Sequence, residues 1–184
     1  IVRFLFFLFR RKLALWLIKR LVFILLLGMA QGVMGWAMVM SGLSEMPHVS
    51  HYRLAAHLTL ALLLVGLILW TVADLVAPAE HTPKPRHHTS TLSWLVLIAI
   101  MVQIILGAFV AGLKSGFSYN TWPLMQGDII PGILNGVSVF EYFDNGVAVQ
   151  FMHRWFAFVT LACIAILWYR VRKQAAYGGA GKIA

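Results

Sequence analysis

Four runs of this sequence, residues 21–43, 54–73, 92–113 and 146–169, are long and apolar enough to cross a lipid bilayer. A crossing takes roughly 20 residues at about 1.5 Å of rise each. The first and third runs carry no charge, the second has only the chargeable His57, and the fourth is interrupted only by the adjacent pair His153 and Arg154. Composition agrees: 61% of residues are hydrophobic and 11% charged, against about 25% charged in an ordinary soluble domain. The expected fold class is therefore all-α, a polytopic transmembrane helix bundle with four complete spans. Ahead of them, residues 1–9 (IVRFLFFLF) are too short to cross and are broken by Arg3. They read as the truncated end of an N-terminal helix, and the chain as a piece of a longer one, with no signal-peptide pattern.

Charge gives the orientation. Fifteen Lys and Arg stand against six Asp and Glu, a formal net charge of +9. Nucleic-acid binding is excluded, because the basic residues sit between apolar runs and line no polar surface. Arg10, Arg11, Lys12, Lys19, Arg20, Lys84, Arg86, Arg170, Arg172, Lys173 and Lys182 all fall on one side of the four spans. The other side holds Arg53 and Lys114, with Glu45, Asp128, Glu141 and Asp144. The positive-inside rule places the basic side in the cytoplasm or mitochondrial matrix, and Trp70, Trp94 and Trp168 fall near inner span ends as an aromatic belt would. Residues 11–21, cationic and carrying Trp16, have the composition of a segment lying along the inner surface.

The connectors differ in character. Residues 78–91 form a polar, Pro-rich inner loop whose His81, His87 and His88 lack the acidic or Cys partners of a metal site, and they read as solvated. The outer loop, 114–145, is long and holds Phe117, Tyr119, Trp122, Phe140, Tyr142 and Phe143. Long loops are functional or disordered, and this aromatic content favours one folded back onto the membrane face. Asp144 and Asn145 suit the N-cap of the fourth span better than catalysis. The lone cysteine, Cys163, excludes an internal disulfide and lies deep in an apolar span, where a thiol is inert.

Polar groups inside spans are costly and usually functional. The second and fourth spans both run outside to inside. His57 lies about 8 Å beyond Tyr52, and His153 about 10 Å beyond Gly146. The two imidazoles thus share a depth, and each has a small residue one turn further in, Ala61 or Ala157. Two readings compete: each histidine hydrogen-bonds a neighbouring helix and does nothing else, or each is an axial ligand of a haem held between helices. Matched depth and matched small neighbours favour the second. Arg53, one turn outward of His57 and against the positive-inside trend, suits an anionic partner such as a haem propionate. Arg154 points about 100° away from His153, and reach to a propionate and snorkelling to the surface are comparable for it. Gln31-x-x-x-Gly35 and Gln103-x-x-x-Gly107 recur at comparable depth in the first and third spans. With Gly28, Gly32 and Gly112 they read as close helix contacts bridged by amides. Met34 and Met38 read as packing.

The stretches QGVMGWAMVMSGL, PHVSHYRLAAHL, LGAFVAGLKSGFSYNTWPLMQGDIIP and VQFMHR, in this order, resemble the heme A synthase family in its mitochondrial and alphaproteobacterial branch. The resemblance covers nearly the whole chain. It implies eight transmembrane helices in two four-helix halves, each able to hold one haem between two histidines, with this chain supplying roughly helices three to six. Residues 1–113 would hold the later part of the N-terminal half and the first helix of the C-terminal half, 114–145 the extracytoplasmic loop, and 146–184 the second helix of the C-terminal half and the start of an inner connector. His57 matches the histidine that binds the substrate, haem O, and His153 the one that ligates the cofactor, haem b. Arg53 and Arg154 would then serve the propionates of the substrate and cofactor haems respectively.

The implied activity is oxidation of the C8 methyl of haem O to the formyl of haem A for cytochrome c oxidase, by successive hydroxylation and dehydration. Implied partners are heme O synthase, a reductant such as a ferredoxin and a second copy of the chain. The implied location is the bacterial cytoplasmic membrane or the mitochondrial inner membrane. The family's glutamate motif with its histidine on helix two, and its helix-eight histidine, lie outside this sequence, so no catalytic residue is expected within it and the piece alone is expected to be inactive. Asp144-Asn145 stands where the family has Glu-Asn, and the cysteine pair of the other branch is missing from 114–145. The alternative to synthase chemistry is a dihaem b-type electron-transfer protein, and a haem-free structural bundle is the third reading.

Overall fold

The computed structural model of the protein describes residues 2–44, 50–76 and 87–180. Most of the inner loop 78–91 lies outside the described residues, as do Glu45, Lys84, Arg86, Lys182, His81 and the side chains of His87 and His88. The described residues form five α-helices: α1 (Val2–Phe9), α2 (Leu15–Ser44), α3 (His51–Val76), α4 (His87–Gly112) and α5 (Gly146–Ala180), with short 3-10 turns at Ser115–Phe117 and Gly132–Leu134. No strand occurs among them. The transmembrane expectation holds: Leu15–Met40, His51–Val76, Thr91–Gly112 and Gly146–Gln174 are each long and apolar enough to cross a membrane.

Two compact units form, residues 1–49 with 56–82 and residues 50–55 with 83–184. In the first, the cationic segment 11–21 is no separate surface element. From Leu15 onward it is the opening of α2, because nothing between Leu15 and the apolar run breaks a helix. Arg20 there bonds Asp74 at 2.5 Å and lies over the Trp16 and Trp70 rings, at 5.2 and 4.9 Å. A cation on an indole beside a carboxylate is a stable anchor at a span end. Trp168 makes the same pairing with Arg172, at 4.9 Å.

In the second unit α4 and α5 pack side by side, and the core is Ala55, Ala108, Phe109 and Val149. Outward-facing apolar side chains on these helices, such as Leu95, Ile98, Leu161 and Ile166, need no protein cover in lipid. Phe109 is the hub of an aromatic cluster, with His51 and Tyr52 each at 5.3 Å and Phe143 at 6.0 Å. Small residues set the close approaches, although not all those anticipated. A Cβ on Gly112 would meet His51 Cα and Cβ at 2.6 Å, whereas one on Gly28 or Gly32 would meet nothing within 4 Å. Those two glycines therefore mark no helix contact among the described residues.

The cap of α5 divides the work expected of Asp144 and Asn145. Asn145 Oδ1 accepts from the Val147 and Ala148 backbone N–H groups at 2.9 and 3.1 Å, satisfying donors a helix start leaves open. Asp144 instead lies 3.2 Å from His51 Nε2. We expect Gly112→Ala to cost about 1–3 kcal/mol, because backbone rather than a flexible tip must move. Gly28→Ala should be neutral or stabilising by up to about 1 kcal/mol from helix propensity. Unfolding of the full-length protein in detergent measures both, and equal costs would contradict this placement.

Candidate functional site

Each of the two intramembrane histidines is met by a glutamine and a glycine from the preceding long helix. In the first unit, Gln31 Nε2 on α2 donates to His57 Nε2 on α3 at 3.3 Å. One turn on from the glutamine, a Cβ on Gly35 would stand 3.3 Å from His57 Cε1. In the second unit, Gln103 Nε2 on α4 donates to His153 Nδ1 on α5 at 3.1 Å and to the His153 carbonyl at 3.0 Å. A Cβ on Gly107 would stand 3.1 Å from His153 Cε1. The two Gln-x-x-x-Gly repeats are thus histidine cradles: the amide holds one ring nitrogen, and the missing side chain at i+4 admits the ring edge. In the sequence the repeats and the histidines stand apart, and the amides alone read as bridges between helices; the structure shows them bonded to the rings. The signal that joins them was the shared depth.

These cradles leave polar atoms over. Gln31 Oε1, His57 Nδ1 and Gln103 Oε1 are buried without a hydrogen-bond partner, which is costly enough that a native site normally uses such groups. No cluster of three His, Cys, Asp or Glu able to hold a bare metal ion occurs among the described residues. A lone imidazole, as each site presents, is a ligand that haem iron commonly takes. By donor chemistry, by the glycine cradle and by the leftover polar atoms, the residues present fit a haem. Ala61 is half-buried and Ala157 exposed, and Arg53 is exposed on α3 one turn before His57.

Arg154 has a different occupation from either anticipated. Its Nη1 donates to the Thr121 and Leu124 carbonyls at 2.6 and 3.3 Å, and its Nη2 to the Tyr119 carbonyl at 3.2 Å. Gln150 Nε2, one turn earlier on α5, donates to Gly116 and Tyr119 carbonyls at 3.4 and 3.1 Å. Trp122 stacks on Phe158 at 6.2 Å. The loop therefore does more than fold back toward the membrane face. Its stretch 119–124 follows α5 from Gln150 to Phe158, roughly 12 Å of helix. Irregular backbone beside a span needs its carbonyls satisfied from within the protein, and Arg154 with Gln150 does this. Buried Met125, Pro131 and Leu134 complete the packing. Thr121 stitches the turn, its Oγ1 donating to Leu124 O at 2.8 Å and accepting from Gln126 N at 2.7 Å.

A family profile described as cytochrome oxidase assembly protein matches residues 1–183. The chain is 43% identical over 185 residues to the heme A synthase of Parvibaculum lavamentivorans, an alignment covering 100% of this chain and 53% of that protein. It is 46% identical over 172 residues to the heme A synthase of Maricaulis maris, covering 91% and 49%. With that of Nitrosomonas eutropha it shares 35% over 188 residues, covering 100% and 52%. The chain spans about half the length of these curated relatives. No solved structure matches it.

Arg154→Gln should release the loop without unfolding the helices, because α5 keeps its Asn145 cap. We expect hydrogen exchange at the amides of 119–126 to rise by one to two orders of magnitude, as roughly 1–3 kcal/mol of charge-assisted bonding is lost. Exchange unchanged in that stretch would show that the guanidinium does not hold it.

Proposed function

The chain belongs to the cytochrome oxidase assembly protein family, and from that premise we propose that the protein it comes from is a heme A synthase, an oxidoreductase converting the C8 methyl of haem O to a formyl group. The observation that carries this reading is the twice-built cradle, one imidazole braced by Gln and admitted by Gly in each unit. The names of the relatives supply the chemistry that two such sites would serve.

His57 is the ligand for the substrate haem O and His153 for the cofactor haem b. When bound, the cofactor supplies the redox-active iron. This chain's residues do the holding. Before haem binds, Gln31 and Gln103 orient the rings, Gly35 and Gly107 make room for the ring edges, and Arg53, exposed beside the His57 turn, offers a cation to a substrate propionate. Arg154 serves the cofactor side through the loop it fastens to α5, and its remaining N–H groups are free to meet a carboxylate. Spans of apolar helix keep water from the sites, which limits loss of a partly oxidised substrate. The two units correspond to parts of two related halves, with the outer loop 114–145 between the helices of the second. Supply of haem O by a heme O synthase, reduction by a ferredoxin-like protein, self-association and residence in the bacterial cytoplasmic membrane belong to the same proposal. The last is supported by the bacterial origin of the relatives.

In the full-length protein, His153→Ala should abolish the low-spin spectrum of the cofactor haem. His57→Ala should retain that spectrum and lose haem A formation, read by pigment extraction from cells supplied with haem O. A wild type that carries two haems but forms no haem A would make it an electron carrier instead. Identical spectra and product in the two variants would refute the division of roles.

A further inference from the structure

The cradles are alike in residues and unlike in which ring nitrogen the amide takes. An amide N–H can only donate, so the ring nitrogen it meets must accept with its lone pair. In His57 that nitrogen is Nε2, and Nδ1 is buried and unpartnered. In His153 it is Nδ1, and neither hydrogen bond of this residue uses Nε2. We propose that this difference makes the two haem sites unequal by construction: ligation at His57 breaks its Gln31 bond, whereas ligation at His153 keeps its Gln103 partner. The inference rests on the reading of His57 and His153 as haem ligands through Nε2.

A ligating imidazole gives its Nε2 lone pair to iron and carries its proton on Nδ1, where a hydrogen-bond acceptor orients it and strengthens the ligand. At His153 that acceptor is at hand. The Gln103 amide already sits on Nδ1, and its Oε1 is buried without a partner. Turning the amide about its last bond exchanges N–H for C=O at Nδ1, so that pair is kept at the cost of the second bond, since Oε1 then faces the His153 carbonyl oxygen that the N–H had met at 3.0 Å. The His153 carbonyl gives up one of its donors and remains within the α5 hydrogen-bond ladder. At His57 the Gln31 N–H competes for the very lone pair the iron needs, and no described acceptor waits at Nδ1. Iron there gains a ligand at the expense of an internal hydrogen bond. A site that must release its product benefits from such a competitor, and a site that keeps its cofactor benefits from a retained partner. Gln31 and Gln103 are accordingly positioning residues with opposite effects on retention.

The test is haem release from the full-length protein reconstituted with haem b at both sites, followed optically as haem transfers to excess apomyoglobin. Wild type should release in two phases, and loss of the fast phase in His57→Ala assigns it. Gln31→Leu, which removes the competitor, should slow the fast phase about fivefold, the equivalent of one net hydrogen bond of about 1 kcal/mol. Gln103→Leu should speed the slow phase by a similar factor. A purely structural glutamine would speed release in both cases, so the opposite signs carry the result. Gln31→Ala removes the same bond with less bulk and should also slow the fast phase. Acceleration or no change of that phase in both Gln31 variants overturns the inference and leaves the function standing. A wild type in which neither His57→Ala nor His153→Ala alters haem content overturns the function itself.

Discussion

A polar side chain within a span has no water to bond, and everything specific in this molecule follows from how that debt is settled. Packing between apolar helices in a bilayer carries little direction, since lipid tails are as apolar as Leu. The polar pairs supply the direction. Gln31 with His57 sets α2 against α3 in one unit, and Gln103 with His153 sets α4 against α5 in the other. Thr71 and Thr160 settle theirs alone, donating to the carbonyls of Leu67 and Phe156 at 2.7 and 3.1 Å, the usual i−4 back-bond of a buried hydroxyl. Gln31 Oε1, His57 Nδ1 and Gln103 Oε1 remain without hydrogen-bond partners, as do His51 Nε2, Gln150 Oε1 and Trp155 Nε1 elsewhere among the described residues, so three of these six atoms lie in the two cradles.

The same rule extends to the outer loop. Backbone that leaves the helical ladder beside a span presents bare carbonyls, and three of them, at Tyr119, Thr121 and Leu124, are met by one guanidinium. Arg has the fork geometry for this, whereas Lys would offer a single point of charge. α5 therefore carries two polar faces about 100° apart. One turns His153 to α4, and the other turns Gln150 and Arg154 to the loop. Adjacent residues with unrelated neighbours are what helical geometry produces from an i, i+1 pair.

Spans, their order and the two histidines were legible because hydropathy and intramembrane polarity are one-dimensional signals, readable from residue type and depth alone. What the residues pair with was less legible. That Gln31 faces His57, 26 positions away, depends on how α2 rotates against α3, and a glutamine at helical spacing beside a glycine serves a helix contact equally well. The fate of Arg154 was hidden for a related reason: its partners are backbone carbonyls, which every residue possesses and no sequence pattern marks. Residues 11–21 misled through composition. Charge and Trp16 suit a surface segment, but helix continuity from Leu15 costs nothing and wins. Asp144 takes no part in the cap, because Asn145 caps α5 unaided, leaving the acid for His51 in the cluster around Phe109.

The choice of an amide as the histidine's partner is itself informative. A carboxylate at position 31 or 103 would hold the ring more tightly, but it would do so by stabilising the imidazolium, which has no lone pair for a metal. It would also bring a formal charge into the span, at a cost an amide avoids. An amide braces the ring while leaving it neutral, and because its two ends are nearly isosteric it can offer either a donor or an acceptor from one position. A bundle whose only task was to stay folded would gain from burying these groups as hydrophobic side chains of similar size. Keeping an imidazole braced by an amide in each unit, its edge against a glycine, is something that structure alone does not require and that a ligand-binding role explains.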